Sequence, residues 1–487
     1  MNKTFIFLVL LFVPFITLPQ TKVKDNYYII FFKDKPDTNY SIHHPEKFLS
    51  PRAIERREKF NIPITKQDLP VSPTYIQTLR DSGYKIIHIS KWFNAVLIHE
   101  TDTIKLKKIK EFSFIDSLGL GRFRTPKDST THITKYKVKI DTSIFQLKYV
   151  PRYSYGFAEI QNYLINIPPL HSLGYDGKGI IIALLDAGFL NLDSIKAFRH
   201  LWNNNFILDY YDFVDNDTNV FDVGGHGTMA LSTIAAFSKK IIGTAPNSSF
   251  LLYRTEDENS EYPIEEFNWL VAAERADSIG TDIISSSLGY ETFDDSLMNY
   301  SYKKMNGNYA ISTIAADIAA KKGIIVVLSA GNSGDEPWHY INAPADGDSI
   351  IAVGACKYNG KPSYFTSYGP SYDGRIKPDV AALGSFVFVI NGYGEITFTY
   401  GTSFSAPTIA GAIACLRQAH PDKSNMEIIR AVQMSGNNAD NPDNRLGYGI
   451  PDMYLAHLIL ENYNLQNLDT TEIIIIKNKN NQSIDIQ

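Results

Sequence analysis

Four residues of this chain have the types that acyl transfer needs: an acid, a base, a nucleophile and an amide donor. Asp186 follows the apolar run 180–185, and His226 stands among glycines in Gly224-Gly225-His226-Gly227-Thr228. Asn332 lies in Ser329-Ala330-Gly331-Asn332-Ser333-Gly334, and Ser403 in Gly401-Thr402-Ser403-Phe404-Ser405-Ala406-Pro407. Taken singly, each has a plainer reading: a helix cap for Ser403, a cap after a strand for Asp186, a structural histidine, a turn-forming asparagine. Taken together, their chemistry fits one task. His226 can take the Ser403 proton and return it to a leaving amine, while Asp186 holds the imidazole tautomer and stabilises its cation. The Asn332 side chain and the Ser403 backbone N–H can donate to the oxyanion.

The surrounding sequence must place these groups. Ser403 falls where a strand-like run, 396–400, breaks at Gly401 and a helical run begins. Ile409, Ile413 and Leu416 recur at helical spacing with Ala406, Ala410, Ala412 and Ala414 between them, a face suited to close packing on a sheet. Pro407 is expected in the first turn of that helix, where a missing N–H costs nothing. A serine at the start of a buried helix has unpaired N–H groups and the positive end of the dipole beside its oxygen. Apolar runs at 180–185, 250–253, 283–284, 324–328 and 350–353 read as strands of a parallel sheet covered on both faces. Helical runs at 227–237, 264–279, 313–322 and 426–434 alternate with them, an α/β pattern whose active sites gather at the carboxyl ends of the strands.

The four blocks Asp-Ala-Gly, Gly-His-Gly-Thr, Ser-Ala-Gly-Asn and Gly-Thr-Ser-Phe-Ser-Ala-Pro, in this order, resemble the signature blocks of the subtilisin-like serine peptidases, over roughly residues 155–460. That resemblance implies a three-layer α/β fold with a mainly parallel seven-stranded sheet and an endopeptidase acting on polypeptides through an acyl-enzyme. It also implies the roles of Asp186, His226 and Ser403 as triad and of Asn332 in the oxyanion hole. Ala187 and Phe404 stand where many relatives have Thr and Met. Ser287, Leu288 and Gly289 resemble the family's segment that pairs with substrate, and Tyr290, in place of a second glycine, is expected to narrow the pocket mouth. No cofactor is required by this chemistry, and calcium is possible because many subtilases bind it.

The rest of the 487 residues frames this domain. Residues 1–20 read as an export signal, Lys3 followed by an apolar run too short for a good membrane span; no later run is long enough, so the mature form is expected to lack a span and to be secreted or periplasmic. Residues 26–118 read as a small α+β module, with strands at 27–32, 85–90, 93–98 and 114–115 and helices at 51–60, 73–82 and 103–112. It resembles the inhibitory, chaperone-like prodomain of subtilases, which predicts self-cleavage in the linker or processing region 119–154. Its basic helix, Arg52 to Lys59, reads as a solvated face, and a net charge of −5 argues against nucleic acid as a partner. The segment 209–217 reads as a solvated acidic turn, with calcium as the alternative. Cys356 and Cys415 read as buried thiols, and 461–487 as a C-terminal tail.

Two other functional classes stay open beside a peptidase zymogen. A peptide-binding pseudoenzyme would keep the fold without turnover. An α/β-hydrolase esterase would show a Gly-x-Ser-x-Gly elbow and the order Ser, Asp, His, whereas here Ser403 comes last.

Overall fold

The computed structural model describes residues 22–24, 26–119, 138–140, 150–462 and 473–475. The expected export signal lies outside the described residues, as does most of the expected processing region and of the C-terminal tail.

The N-terminal module is an antiparallel sheet of β1 (Lys22–Lys24), β2 (Tyr27–Phe32), β3 (Lys85–Ser90), β4 (Ala95–His99) and β5 (Ile115–Leu118). The order is β1-β2-β4-β3, with β5 also paired to β2. Side chains alternate across a strand, so this sheet has two apolar faces. Ile30, Phe32, Val96 and Ile98 pack on Ile76 and Leu79 of helix α2 (Pro73–Asp81), and a short helix α3 (Thr103–Lys108) follows β4. Ile29, Phe31, Ala95 and Leu97 instead join a core that belongs to the larger domain.

Helix α1 (Pro51–Lys59) corrects the sequence reading. Ser50 caps it, accepting from the Ala53 N–H at 3.1 Å, and Pro51 takes the first helical position. Its basic residues do not form a solvated face: Arg56 and Arg57 are buried. Arg56 donates to Asp277 at 2.5 Å, and Arg57 to Asp277 at 2.7 Å and Asp68 at 3.0 Å. Asp68 also pairs with Lys322 at 2.9 Å. The buried charges that suggested exposure are matched by Asp68 nearby and by Asp277, more than two hundred residues away in sequence.

In the larger domain seven strands form one parallel sheet: β6 (Ile181–Asp186), β7 (Ile207–Asp212), β8 (Ser249–Arg254), β9 (Ile283–Ser286), β10 (Ile325–Ser329), β11 (Ile351–Cys356) and β12 (Val380–Leu383). Their order is β12-β11-β10-β9-β6-β8-β7. All six pairings are parallel, with Ile283 opposite both Ile182 and Ile325. The chain leaves β6 toward β7 and β8 on one side and reaches β9 on the other. A crevice therefore opens at the carboxyl ends of β6 and β9, where the sheet switches direction.

Helices α4 (Gly225–Ala235) and α7 (Thr402–Ala419) lie on one face; α5 (Ile264–Ile279) and α6 (Ile311–Lys321) lie on the other. A hairpin, β13 (Ser385–Ile390) and β14 (Ile396–Tyr400), leads into α7. The sequence reading missed β7, because its alternation carries aspartates. Asp209 pairs with Arg275 at 2.7 Å and accepts from the Tyr253 hydroxyl at 2.8 Å, while Asp212 and Asp215 each pair with Arg254 at 2.6 Å. The segment 209–217 is therefore an edge strand anchored by arginines at Asp209 and Asp212, and only its end, residues 215–217, is the solvated acidic turn that the sequence suggested. Cys356 and Cys415 are free buried thiols, as the sequence suggested.

Candidate active site

Asp186 closes β6 and is almost wholly buried, and its Oδ1 lies 2.7 Å from His226 Nδ1. The same oxygen accepts the Ala187 N–H at 2.8 Å, which fixes the carboxylate plane. With Nδ1 facing the carboxylate, the imidazole presents Nε2 on its opposite edge. Burial works against the imidazolium, but the Asp186 charge and hydrogen bond outweigh it and raise the His226 pKa above its ordinary value.

The glycines around His226 have a steric cause. Gly224 adopts φ 58°, and a Cβ there would sit 2.2 Å from the Ala187 carbonyl oxygen. A Cβ on Gly227 would sit 2.3 Å from the Gly188 carbonyl oxygen and 3.1 Å from the Asp186 Cβ. Only glycine lets the start of α4 approach the end of β6 closely enough for the acid and base to meet.

Ser403 is the second residue of α7 and is 8% exposed. Its Oγ leans on the Ser287 carbonyl at 3.4 Å, a long bond, and the neighbouring Phe404 ring lies 5.5 Å from that of His226. Pro407 is the sixth residue of α7 and not part of its first turn, which corrects the sequence reading. A residue there would ordinarily donate its N–H to the Ser403 carbonyl, and proline cannot. The Ser287 hydroxyl takes that place, donating to the Ser403 carbonyl at 2.8 Å. The segment after β9 is thereby tied to the candidate nucleophile by two hydrogen bonds, a link the sequence did not show.

Asn332 is exposed beyond the end of β10. Its Oδ1 accepts from both the backbone N–H and the hydroxyl of Thr402, at 2.9 and 3.0 Å. A backbone N–H can only donate, so the accepting atom is the oxygen, and Nδ2 remains as a donor beside the first turn of α7. Thr402 is the residue that sequence reasoning missed here: it orients the amide and immediately precedes Ser403.

Ser287 and Leu288 are half-buried and Gly289 is exposed, so this segment forms one wall of the crevice. Tyr290 does not narrow the mouth. Its ring is fully buried in a satellite core with Phe293, Met298, Tyr300 and Met305, and its hydroxyl donates to Glu256. The opposite wall is the segment Glu256 to Glu261, and the two enclose a cavity of about 450 Å³ that reaches His226. The sequence reading did not single out the carboxylates at 256–261, and their position opposite His226 appears only in the structure.

Residues 177–449 match the model of the subtilase family of S8 peptidases, and residues 27–135 match that of a Bacteroidota peptidase S8 propeptide domain. Subtilisin NAT of Bacillus subtilis subsp. natto is 29% identical over 286 residues, which cover 58% of this chain and 65% of that protein, just under two thirds of its length. Alkaline elastase YaB of a Bacillus strain is 25% identical over 396 residues, 80% of this chain and 89% of that protein. Among solved structures, the epidermin leader peptide processing serine protease of Staphylococcus aureus shares the fold, with a TM-score of 0.56 and 18% identity over 91% of this chain and 99% of that one. The parallel sheet, the placement of the four residues and the family match over more than half of the chain lead to one conclusion: this protein belongs to the subtilase family and carries a Bacteroidota-type S8 propeptide domain ahead of its subtilase domain.

Proposed function

We propose that this protein is a secreted serine endopeptidase, made as a zymogen, with Asp186, His226 and Ser403 as its triad and Asn332 in its oxyanion hole. The observation that carries this reading is the 2.7 Å contact between Asp186 and His226 beside the start of α7, where Thr402 aims the Asn332 amide. In the reaction Ser403 Oγ turns about its Cα–Cβ bond from the Ser287 carbonyl toward His226. It then attacks the scissile carbonyl carbon while His226 Nε2 takes its proton. The oxyanion accepts from Asn332 Nδ2 and from the Ser403 N–H, which the first turn of a helix leaves without an internal partner. His226 gives the proton to the departing amine as the carbon–nitrogen bond breaks. Water, deprotonated by His226, then releases the acyl group and restores Ser403.

None of these steps needs a cofactor, and calcium would act on stability. Ser287, Leu288 and Gly289 would pair with the substrate backbone. The chain would be organised as an export signal at 1–20, an inhibitory and chaperone-like module at 26–118, a linker at 119–154 cut by the enzyme itself, a peptidase domain at 155–460 and a tail beyond it. Its partners would be polypeptide substrates and its own N-terminal module. Export is supported by the character of residues 1–20 and by relatives named as subtilisins; among the described residues no helix is long and apolar enough to cross a membrane.

The test is digestion of a denatured protein substrate by wild-type protein and by Ser403→Ala, alongside labelling with a serine-directed phosphonate. Digestion and labelling by the wild type alone support the reading. Equal digestion by both proteins, or labelling at a residue other than Ser403, overturns it.

A further inference from the structure

The hairpin that leads into α7 has two unlike faces. Val387 and Val389 of β13 are fully buried and pack with Leu383, Phe404 and Met229. The opposite face is aromatic and turned to solvent. Phe386, Phe398 and Tyr400 are 57%, 52% and 45% exposed, and the Phe386 ring lies 5.4 Å from that of Phe398 and 4.8 Å from that of Tyr400. Phe388, directly opposite Phe398 in the ladder, continues this face to the exposed ring of Phe157 at 5.1 Å. Among the described residues four phenylalanines are exposed, and three of them, Phe157, Phe386 and Phe398, gather here. Apolar side chains exposed singly need no explanation, but a contiguous patch of rings does.

The backbone is bent to present this patch. Phe386 adopts φ 58° at a bulge between Ser385 and Val387. A bulky side chain in the left-handed region costs about 1–3 kcal/mol and persists only where the surrounding structure holds it. A bulge re-aims the side chain that it carries, and here the ring comes to lie against Phe398 and Tyr400 and not in the core. Neither strand of the hairpin has a charged residue. Charge appears at the rim, where exposed Lys196, Lys240 and Glu395 line a cavity of about 800 Å³ beside the hairpin turn, together with Phe157 and Tyr393.

We infer that this face is the interface of a homodimer, in which a second copy of the chain covers the aromatic patch about a two-fold axis. An uncharged aromatic centre within a charged rim is the composition of a protein–protein interface. The rim decides the partner. It holds both signs, so a two-fold axis sets Lys196 and Lys240 of one copy against the partner's Glu395 and the reverse, a self-complementary arrangement. An anionic lipid surface favours cations alone, and Glu395 opposes it. The area fits as well. Phe157, Phe386, Tyr393, Phe398 and Tyr400 are about half exposed or more, which at about 200 Å² for each ring supplies about 500 Å². The stems of Lys196 and Lys240 and the hairpin turn extend this toward the ~800 Å² per copy that a stable interface needs. The N-terminal module covers the other face of the seven-stranded sheet and leaves the patch open. Because β14 runs through Gly401 into α7, the interface lies one strand away from Ser403.

The inference concerns assembly and not turnover, so the test uses the full-length, signal-free chain carrying Ser403→Ala to exclude self-digestion. Sedimentation velocity between about 1 and about 100 µM is expected to show a dimer that dissociates on dilution. Phe398→Glu puts a charge from each copy into the centre of the face and is expected to weaken association by about 100-fold or more. Its side chain is half exposed, so circular dichroism should stay that of the parent. Glu395→Lys weakens association less, and adding Lys196→Glu and Lys240→Glu to it restores the dimer. Should Phe398→Glu unfold, this charge swap at the exposed rim decides alone. A monomer over the whole range, or a dimer unmoved by Phe398→Glu and by the rim variants, overturns the inference. A monomer that sediments with phosphatidylglycerol vesicles also overturns it and gives the face to a lipid surface. No arm measures turnover, so each of these results leaves the peptidase reading standing.

Discussion

One face of the seven-stranded sheet is closed by α4 and α7, elements of the same domain, whereas the other is covered by α5 and α6 and then again by the N-terminal sheet. On the first face Ile182, Leu184, Ile325, Val327, Ile351 and Val353 pack on the alanine-rich α7, which is buried from Thr402 to Arg417. On the second, Ile29, Phe31, Trp92, Phe93 and Leu97 extend a core begun by Ile181, Leu185, Leu251 and Leu328. The polar contacts differ as well. Across the second face Glu274 accepts from the Ser90 hydroxyl and from the Lys91 and Trp92 N–H groups, and Arg56 and Arg57 reach Asp277. Arg56 also donates to backbone carbonyls of Lys322 and Thr281, just past the ends of α6 and α5. The face that carries Ser403 is closed by close apolar packing. The face shared with the propeptide module is closed by apolar contact plus directional hydrogen bonds to charged groups.

This contrast can be broken from either side. The largest effect is expected on the first face. Asp186→Asn should lower kcat/KM by about 10⁴-fold, because the imidazole loses the partner that sets its tautomer, while circular dichroism shows an unchanged fold. On the second face, Arg57→Ala in a Ser403→Ala background leaves Asp277 and Asp68 short of a buried partner. The expected cost is about 3–5 kcal/mol in urea unfolding, confined to the transition that includes the N-terminal module. Asn332→Ala returns to the first face. It should reduce kcat by about 10²–10³-fold with little change in the unfolding curve, since Asn332 is exposed and, in the proposed mechanism, supplies a donor used only in the transition state.

The smallest effect is a pH dependence of docking. His88 of β3 is buried against the larger domain, with its Nε2 2.8 Å from the Phe213 carbonyl, and it also faces the Asn268 side chain. Burial lowers its pKa from 6.5 to about 4, against the opposing hydrogen bonds of Phe213 and Asn268. The undocked module takes up its proton first as pH falls. Docking is therefore at full strength above about 6.5 and weakens progressively between 6.5 and about 4. Co-elution of cleaved module and larger domain, measured across that range, should decline on the acid side, and His88→Gln should flatten the decline.

The two faces were also unequally legible in sequence. The site could be read from short blocks because its demands are local: glycines at 224 and 227 for close approach, a strand ending in Asp186, a helix starting at Ser403. Five of the seven parallel strands declared themselves as continuous apolar runs while β7 and β12 did not, and α5 was bounded to the residue. The second face depends on partners more than two hundred residues apart, such as Arg56 with Asp277, and a helix rich in charge looks solvated until those partners are known. The same holds for β7, whose aspartates are matched by Arg254 and Arg275, and for Tyr290, whose ring turns into a small core that no periodicity marks. Pro407 was misplaced for a related reason. The hydroxyl that compensates for its missing N–H comes from Ser287, just past the end of β9.

The most direct test of the account is the intact mass of purified, signal-free protein, wild type beside Ser403→Ala, after incubation. The account predicts that only the wild type is cut between Leu118 and Tyr155, while Ser403→Ala stays whole. Two intact chains, or identical cleavage of both, would contradict it.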